Sequence, residues 1–580
     1  MGADFIQSFS AKMETSYYRR PADQPFLDDT FGQLLDQAAV RWPDREAYVF
    51  RPAGRRVTFA ELKEQVDQLA TGLLALGTKR GDKIGWIVDN RLEWVLLYFA
   101  VAKVGAISVP LENMFDWSSE VAVYMINKVQ LKTLVLQDSD DGDVYSKNPL
   151  QSLVEIAPEL ETCQPDRLKN PKLPFLETVI AISERKYSGC YMFDDVQHMG
   201  GDEEYRRLES MQAELSSKDP GLLFCTSGST GTPKFVQHCS YALVNSCGEF
   251  FRMTGIDKQP TCLFPSPAES GFWDVHQPIV FGNKMVFPSP GKATVIDLLS
   301  TIQEERCGAV AALLVIKQFH ELLHHPQLKD YDLSSLELIH VGGNVVHESL
   351  VQLSAQLLPK VKILNLYAMT EVICVSTVTP DMTLEAASTT VGKIFPEIEV
   401  KLVDKSGDTV PLGQDGEVWV KGYSVFQGYC ADEDTNRNIL SADGWCNTGD
   451  IGRLGKDGLL RIVGRSKDVI LKDDENVYPV LLERVFYEMC DKIRIVKAIG
   501  VPHESLVEEI CICIILKDGE TTTEEEMREM ASNFGLTGAF EPGYYLFMDD
   551  FPMTKSERKI DLRALKQKAI RELGLSTEET

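Results

Sequence analysis

The 580-residue chain has a deficit of basic residues and no apolar run long enough to span a bilayer. It carries 59 Lys plus Arg against 86 Asp plus Glu, which gives a formal net charge of -27. Such a surface repels nucleic acid, so no nucleic-acid partner is expected. Because long apolar runs are missing, no transmembrane segment is expected either. An anionic substrate therefore requires a local positive pocket.

Paired cysteine spacing, internal repeats and low-complexity tracts are also missing. The 13 cysteines are scattered without a Cys-x-x-Cys pair, which favours reduced thiols over a metal site or a disulfide framework. The first residues lack the hydrophobic stretch of a secretory signal, and the last residues are not a peroxisomal signal. We therefore expect a cytoplasmic location, with mitochondria as the alternative because of Arg19-Arg20.

The length exceeds what a single hydrophobic core supports, so two or more domains are expected. From about residue 31 to 135, helical and strand patterns alternate, which predicts a parallel sheet with helices on both faces. Between Val391 and Val463, short strands alternate with Gly and Asp turns, which predicts a small β-barrel-like subdomain. Beyond Arg465, about a hundred residues of higher charge density predict a compact α+β unit.

The most informative stretch is a Ser-, Thr- and Gly-rich loop after the apolar segment 221–225. Its two glycines permit a tight turn in which backbone N–H groups converge on an anion. It is not a Walker A loop, because no Gly-Lys-Ser/Thr follows the second glycine. Such a composition is usually a flexible loop, but this one is predicted between a strand and a helix and ends in Pro-Lys. The predicted phosphate-binding residues are Thr226, Ser227, Gly228, Ser229, Thr230, Gly231 and Lys234.

Two further segments carry side chains suited to a nucleotide. Thr370-Glu371 follows a predicted strand, and one glutamate can hold Mg²⁺ when substrate phosphates supply the other ligands. Taken alone, a Thr-Glu pair is more often a helix cap. Asp450, in Gly-Trp-Cys-Asn-Thr-Gly-Asp, can accept hydrogen bonds from two ribose hydroxyls, or it can be a turn aspartate beside Gly449.

These motifs, in this order, resemble those of the adenylate-forming superfamily, which comprises acyl-CoA synthetases, adenylation domains and firefly-type luciferases. The resemblance covers nearly the whole chain. It implies an α/β fold: a large N-terminal domain of two αβ-layered sheets plus a β-barrel-like subdomain, and a small mobile C-terminal α+β domain. On this basis the adenylation domain spans 1–465, with its β-rich subdomain at about 376–465, and the mobile domain spans 466–580.

The resemblance also implies a two-step reaction. A carboxylate, from a fatty or an aryl acid, attacks the α-phosphate of ATP to give acyl-AMP and pyrophosphate, and the thiol of coenzyme A then displaces AMP. The implied catalytic residues are Lys234, Thr370, Glu371 and Lys559, and Glu371 also binds Mg²⁺. The resemblance further implies adenine binding by Tyr367, Gly342 and Gly343, ribose binding by Asp450, ribose or phosphate binding by Arg465, and a hinge at Lys467.

Several positions depart from the family pattern. Asp473-Asp474 replaces a Gly-Gly pair in the loop that the resemblance places near coenzyme A, and two carboxylates there repel its phosphates. The segment 552–560 has one extra residue, so either Arg558 or Lys559 occupies the position of the catalytic lysine. We favour Lys559, because Ile560 and Leu562 keep the flanking apolar pattern.

Three functions therefore stay open: an acyl-CoA ligase, an adenylating enzyme with a luciferase-type second step, and a nucleotide-binding protein without turnover. Ala268 weighs against the second function, since firefly-type enzymes carry histidine there.

Overall fold

The computed structural model describes residues 15–111, 119–139, 148–226, 233–268, 275–342, 346, 348–472, 475–503, 506–554 and 560–575. The chain divides into two compact units. The larger unit comprises Tyr18–Val400 and Val420–Cys446, and the smaller unit comprises Met1–Tyr17, Lys401–Trp419 and Asn447–Thr580. Along the sequence, the chain therefore starts in the smaller unit, passes to the larger one, and crosses between the two units three more times before it ends in the smaller unit.

An eight-stranded sheet forms one layer of the larger unit. Its strands, in spatial order, are Gly428–Tyr429, Lys234–Cys239, Pro220–Thr226, Ile107–Pro110, Lys83–Ile87, Thr133–Gln137, Thr178–Ile182 and Tyr191–Met192. Neighbouring strands are parallel except for the first two pairs, which are antiparallel. The predicted parallel sheet is thus confirmed, with an antiparallel edge that carries Lys234.

A nine-stranded sheet forms the second layer. Its strands, in spatial order, are Lys393–Ile394, Val372–Thr377, Lys362–Met369, Leu338–Gly342, Ala309–Val315, Thr261–Leu263, Lys284–Phe287, Glu46–Phe50 and Arg55–Thr58. The central strands are parallel, while both ends are antiparallel. Two αβ-layered sheets are what the resemblance implies for this part of the chain, and that prediction is confirmed.

Helices of the larger unit cover the apolar faces of these sheets. Side chains cap several of them, as in the capping box of Thr58 and Glu61. The α-helices are Phe31–Arg41, Phe59–Ala75, Leu92–Lys103, Ser119–Lys128, Pro149–Ile156, Phe193–Gln197, Asp202–Glu214, Ser240–Thr254, Gln277–Phe281, Val295–Glu305, Ile316–Leu323, Glu348–Leu357, Leu384–Thr389 and Glu433–Ile439. Single 3₁₀ turns lie at Pro158–Glu161, Ile256–Lys258 and Leu328–Asp330.

The smaller unit is built on two five-stranded sheets. The first contains Tyr17–Tyr18, Glu399–Val403, Asp415–Lys421, Cys446–Leu454 and Leu460–Arg465 in spatial order. It holds four of the short strands found between Val391 and Arg465, whereas Lys393–Ile394 and Gly428–Tyr429 belong to the sheets of the larger unit. The second runs Glu475–Val477, Ile470–Lys472, Val507–Leu516 and Ile493–His503, with Tyr544–Phe547 paired parallel to Val507–Leu516. Its α-helices are Pro479–Met489, Glu524–Asn533 and Leu562–Glu572, with 3₁₀ turns at Ser466–Asp468 and Gly538–Phe540.

The described residues include all 13 cysteines, and none of them is joined in a disulfide. Cys511 and Cys513 are both buried on the strand Val507–Leu516, with a 4.0 Å separation between their sulfur atoms. Within the described ranges, no helix is long and apolar enough to cross a membrane.

Candidate functional site

The segment around the predicted phosphate loop is a β-hairpin. Strand Pro220–Thr226 pairs antiparallel with Lys234–Cys239, and Thr226 lies directly opposite Lys234. The apolar spacing from Ser240 through Phe251 predicts a helix, and the helix Ser240–Thr254 confirms it, but a second strand that the sequence does not indicate lies between the loop and this helix. The extra strand explains how Thr226 and Lys234 come together, because adjacent antiparallel strands bring opposite residues within about 5.5 Å.

Thr370 and Glu371 form the two-residue turn of a second hairpin. Met369 pairs with Val372 across this turn, which ends the strand Lys362–Met369 and starts Val372–Thr377. The helix-cap alternative for Thr370-Glu371 is thus excluded, since a strand follows. The backbone carbonyl of Glu371 accepts a hydrogen bond of 2.9 Å from the Phe426 N–H, so the main chain of the turn is anchored.

Tyr429 contacts side chains from both hairpins. Its hydroxyl donates a 2.6 Å hydrogen bond to Oε1 of Glu371. The Nζ of Lys234 lies 5.1 Å from the centre of its ring, within the range of a cation–π interaction. A cation of the eight-stranded sheet and a carboxylate of the nine-stranded sheet therefore meet at one aromatic ring.

Tyr429 belongs to none of the sequence motifs described above. It follows a glycine in a loop-like segment, and its neighbours in the sequence include no other candidate side chain. Its contacts with Lys234 and Glu371 depend on pairing between distant segments, such as Val236 with Tyr429, so no local pattern indicates them.

A buried histidine supports the Thr370-Glu371 turn. The Nε2 of His238 lies 2.7 Å from the backbone carbonyl of Thr370 and donates to it in the neutral tautomer. Burial lowers the pKa of His238 to about 4, because the interior disfavours the charged ring. His238 is therefore neutral at physiological pH and acts as a fixed structural donor.

Two of the three residues predicted to line the adenine, Gly342 and Tyr367, lie on neighbouring strands. Gly342 ends the strand Leu338–Gly342, which pairs with Lys362–Met369 through Val341 and Asn365. Tyr367 lies on that second strand, opposite Ser376 of the following strand. Both residues therefore belong to the same sheet as Glu371.

Asp450 and Arg465 come together within the smaller unit. They are directly opposite each other on the antiparallel strands Cys446–Leu454 and Leu460–Arg465. The Nε of Arg465 donates to Oδ1 of Asp450 at 3.0 Å, with the Asp450 side chain 5% exposed and the Arg465 side chain 51% exposed. The Asp450 N–H also donates to the Thr448 hydroxyl at 3.1 Å. The aspartate is thus rigidly held on a strand, and the turn-aspartate alternative does not describe it.

The remaining predicted residues divide into two groups. Lys467 lies in the 3₁₀ turn Ser466–Asp468, directly after the strand that carries Arg465. Outside the described residues lie Ser227, Gly228, Ser229, Thr230, Gly231, Gly343 and Lys559, together with Arg558 and Asp473-Asp474.

The chemistry of Glu371 suits a divalent cation. The described residues give this carboxylate a neutral hydroxyl partner and no cationic one, so its charge is available to a cation. In the same described part of the chain, no group of three or more His, Cys, Asp or Glu side chains could hold a metal by itself. A cation at Glu371 would therefore take its other ligands from phosphates and water, as Mg²⁺ commonly does.

Comparison with known proteins defines the class of this site. Residues 35–430 match the family of AMP-binding enzymes. The chain belongs to this family, and the predicted membership of the adenylate-forming superfamily is confirmed.

A relative matches nearly the whole chain. The mitochondrial medium-chain acyl-CoA ligase ACSF2 of Danio rerio is 33% identical and covers 97% of this chain and 92% of its own. The segments 474–479 and 507–520 themselves resemble acyl-CoA synthetase family member 2, and this match confirms that resemblance. The predicted enzyme class, an AMP-forming acid–thiol ligase, is confirmed at the level of the family and its curated relatives.

Solved structures share the fold. The amide bond synthetase McbA of Marinactinospora thermotolerans superposes with a TM-score of 0.76 at 24% identity, covering 93% of this chain and 99% of its own. The O-succinylbenzoate coenzyme A synthetase MenE of Bacillus subtilis, in complex with ATP and magnesium ion, gives a TM-score of 0.73 at 21% identity, covering 93% and 100%. The predicted α/β architecture is therefore confirmed.

Proposed function

We propose that this enzyme activates a carboxylic acid with ATP and transfers the acyl group to coenzyme A. The observation that carries the proposal is the meeting of Lys234 and Glu371 at Tyr429. A cation for phosphate oxygens and a carboxylate for a metal ion are the two charges that a metal–triphosphate complex requires. The zebrafish relative, an acyl-CoA ligase over nearly the same length, supports the second half of the reaction.

The first step is an in-line attack of the carboxylate on the α-phosphate. Negative charge grows on the phosphate oxygens, and Lys234, Thr226 and Thr370 are the donors among the described residues that we assign to them. Mg²⁺, when bound at Glu371, would neutralise phosphate charge and orient the leaving pyrophosphate. We assign Tyr367, Gly342 and Gly343 to the adenine, and Asp450 and Arg465 to the ribose.

We propose Lys559 as the lysine of the adenylation step and Lys467 as the hinge of a mobile segment 466–580. Replacing Lys559 by Ala should slow pyrophosphate release by orders of magnitude and spare thioester formation from supplied acyl-AMP. Arg558→Ala is the matched control. If the control shows that pattern and Lys559→Ala does not, the assignment of the lysine is wrong.

We propose a fatty acid of medium chain length as the substrate, because the name of the zebrafish relative specifies that class. An aryl acid is the alternative that the sequence leaves open. The same name specifies mitochondria, which supports the mitochondrial alternative over the cytoplasmic expectation. Fractionation of cells that express the chain distinguishes the two locations.

Pyrophosphate release across a panel of carboxylic acids tests the proposal. The assay contains ATP and Mg²⁺ with or without coenzyme A, and mass spectrometry identifies the products. We expect acid-dependent pyrophosphate release, AMP formation and a thioester that appears only with coenzyme A. Pyrophosphate without any thioester would favour a different second step. ATP binding without pyrophosphate release from any acid would favour a nucleotide-binding protein without turnover.

A further inference from the structure

We propose that Tyr429 is a positioning residue that fixes Glu371 through its hydroxyl and Lys234 through its ring, and thereby shapes the site for metal-bound ATP. This inference rests on the proposed function and assigns a role to a residue outside the motifs. It concerns only the larger unit, in which all three residues lie.

The hydroxyl of Tyr429 donates its hydrogen bond to Glu371. The distance of 2.6 Å to Oε1 is typical of a short O–H···O⁻ hydrogen bond. An ionised carboxylate can only accept, so the phenol O–H is the donor and one carboxylate oxygen of Glu371 is held as its acceptor. The orientation of the second oxygen, which we assign to the cation, follows from this bond.

The ring of Tyr429 limits the positions of Lys234. The ammonium lies over the ring at 5.1 Å, where the negative face of the π-system attracts it. The strand that carries Lys234 is joined to Tyr429 through the pair Val236–Tyr429. Lys234 and Val236 lie two residues apart on this strand and so face the same side. The backbone pairing and the cation–π contact therefore act on the same lysine.

Tyr429 is itself held by several contacts. The side-chain amide of Asn436 accepts from the Tyr429 N–H at 2.6 Å and donates to the Tyr429 carbonyl at 3.0 Å. The ring of Phe426 packs edge-on against the ring of Tyr429, with 5.0 Å between the centres. A ring fixed in this way can orient two partners without large movements of its own, as residues behind a metal ligand commonly do.

Replacing Tyr429 by Phe tests the hydroxyl alone. The ring and its contact with Lys234 remain, and only the hydrogen bond to Glu371 is lost. We expect a fall of about 10-fold or more in the apparent affinity for Mg²⁺ in the presence of ATP, the usual effect of losing a residue behind a metal ligand. Calorimetric titration of the ATP-saturated protein with Mg²⁺, and with Mn²⁺ as a second probe, measures this affinity without any acid or coenzyme A. ATP binding without metal should stay close to wild type.

Tyr187→Phe is the matched control. The hydroxyl of Tyr187 donates to Oδ2 of Asp138 at 3.1 Å in the same compact unit, so this variant also loses a tyrosine–carboxylate hydrogen bond. Its Mg²⁺ affinity should equal that of wild type. Equal Mg²⁺ affinities of wild type, Tyr429→Phe and Tyr187→Phe would overturn the role of the hydroxyl, and so would a wild-type protein whose ATP complex binds no Mg²⁺.

Replacing Tyr429 by Leu tests the ring. This variant loses the contact with Lys234 as well, so ATP binding without metal should weaken several-fold relative to Tyr429→Phe. Equal metal-free ATP affinities of the Leu and Phe variants would overturn the role of the ring. Failure of the proposed function is distinguishable, because a wild-type protein that binds Mg²⁺ and ATP but makes no thioester contradicts coenzyme A ligation and not the role of Tyr429.

Discussion

Glu371 and Asp450 are two carboxylates with contrasting surroundings. Asp450 is 4% exposed and pairs with the guanidinium of Arg465, whereas Glu371 is only partly buried and receives a hydrogen bond from a neutral phenol. A deeply buried charge requires a neutralising partner, while a carboxylate at an accessible turn can keep its charge for an incoming cation. The contrast supports different roles: Glu371 for a metal ion, and Asp450 as a fixed acceptor for hydroxyl groups.

The largest expected effect comes from removing the charge of Glu371. Gln keeps an acceptor for Tyr429 but loses the negative charge, so Glu371→Gln should lower the rate of pyrophosphate release by about 10²- to 10³-fold. Raising the Mg²⁺ concentration should recover part of the activity. Glu385→Gln, on an exposed helix of the same unit, is the control. Wild-type rates in Glu371→Gln would remove the basis for assigning the cation to this residue.

Asp450→Asn should have a smaller effect, confined to the nucleotide. A hydrogen bond to a charged acceptor contributes about 1.5–3 kcal/mol, so the KM for ATP should rise about 10- to 100-fold. Substitution of ATP by its 2′-deoxy and 3′-deoxy analogues sharpens this test. Wild type should discriminate against them, and Asp450→Asn should discriminate less. The same preference for ATP in both proteins would show that Asp450 does not contact the ribose.

The two units should also differ in their response to acid. His238 and His340, both in the larger unit, are buried, and burial lowers the pKa of each to about 4. In the unfolded chain each histidine takes up a proton near pH 6.5, whereas in the folded chain it does so only near pH 4. The two histidines therefore leave the free energy of unfolding unchanged above pH 6.5 and lower it as the pH drops from 6.5 toward 4. The expected slope is on the order of 1 kcal/mol per pH unit for each histidine.

Hydrogen exchange measured against pH checks this prediction. Amides of the larger unit should lose protection earlier than those of the smaller unit as the pH falls from 6.5 to 4. The variants His238→Gln and His340→Gln should flatten the dependence. Equal loss of protection in both units, unchanged by the two variants, would contradict the assignment of the acid response to these histidines.

The smallest effect concerns coenzyme A. If Asp473-Asp474 faces its phosphates, each like-charge approach costs on the order of 1 kcal/mol, so a Gly pair should lower the KM for coenzyme A several-fold and leave that for ATP unchanged. An Asn pair removes the charges but keeps side chains of similar size. If the Gly pair lowers the KM for coenzyme A and the Asn pair does not, the size of the Asp side chains rather than their charge weakens coenzyme A binding. Unchanged KM values in both variants would show that this loop does not meet coenzyme A.

The sequence predicts the elements and the motif residues better than it predicts their contacts. Local signals define the helix capped by Thr58 and the central parallel strands, because each depends on neighbours within a few positions. Local motifs also indicate Lys234, Glu371 and Asp450 as candidates, whose roles stay predictions. The pairing of Asp450 with Arg465 could not be derived from spacing alone, since it depends on the register between two strands.

Two features of the larger unit, the strand Lys234–Cys239 and the contacts of Tyr429, cannot be predicted from local sequence patterns. The strand Lys234–Cys239 is short and lies directly before a helix, so no local pattern indicates a strand at this position. Tyr429 gains its partners through a two-residue edge strand, and its position follows from tertiary pairing with Val236 and Gln237. Short edge strands have little intrinsic sequence preference, and their formation depends on pairing with neighbouring strands.

The edge strand at Gly428–Tyr429 also bears on how the protein is made. The ribosome completes Lys234–Cys239 long before Tyr429, and the segment Lys401–Trp419 of the smaller unit is synthesised in between. During that interval, the outer side of the strand that carries Lys234 lacks its partner, and an unpaired strand edge is open to association with other chains. Nascent chains stalled between residues 240 and 428 should therefore require chaperone protection that the released protein does not.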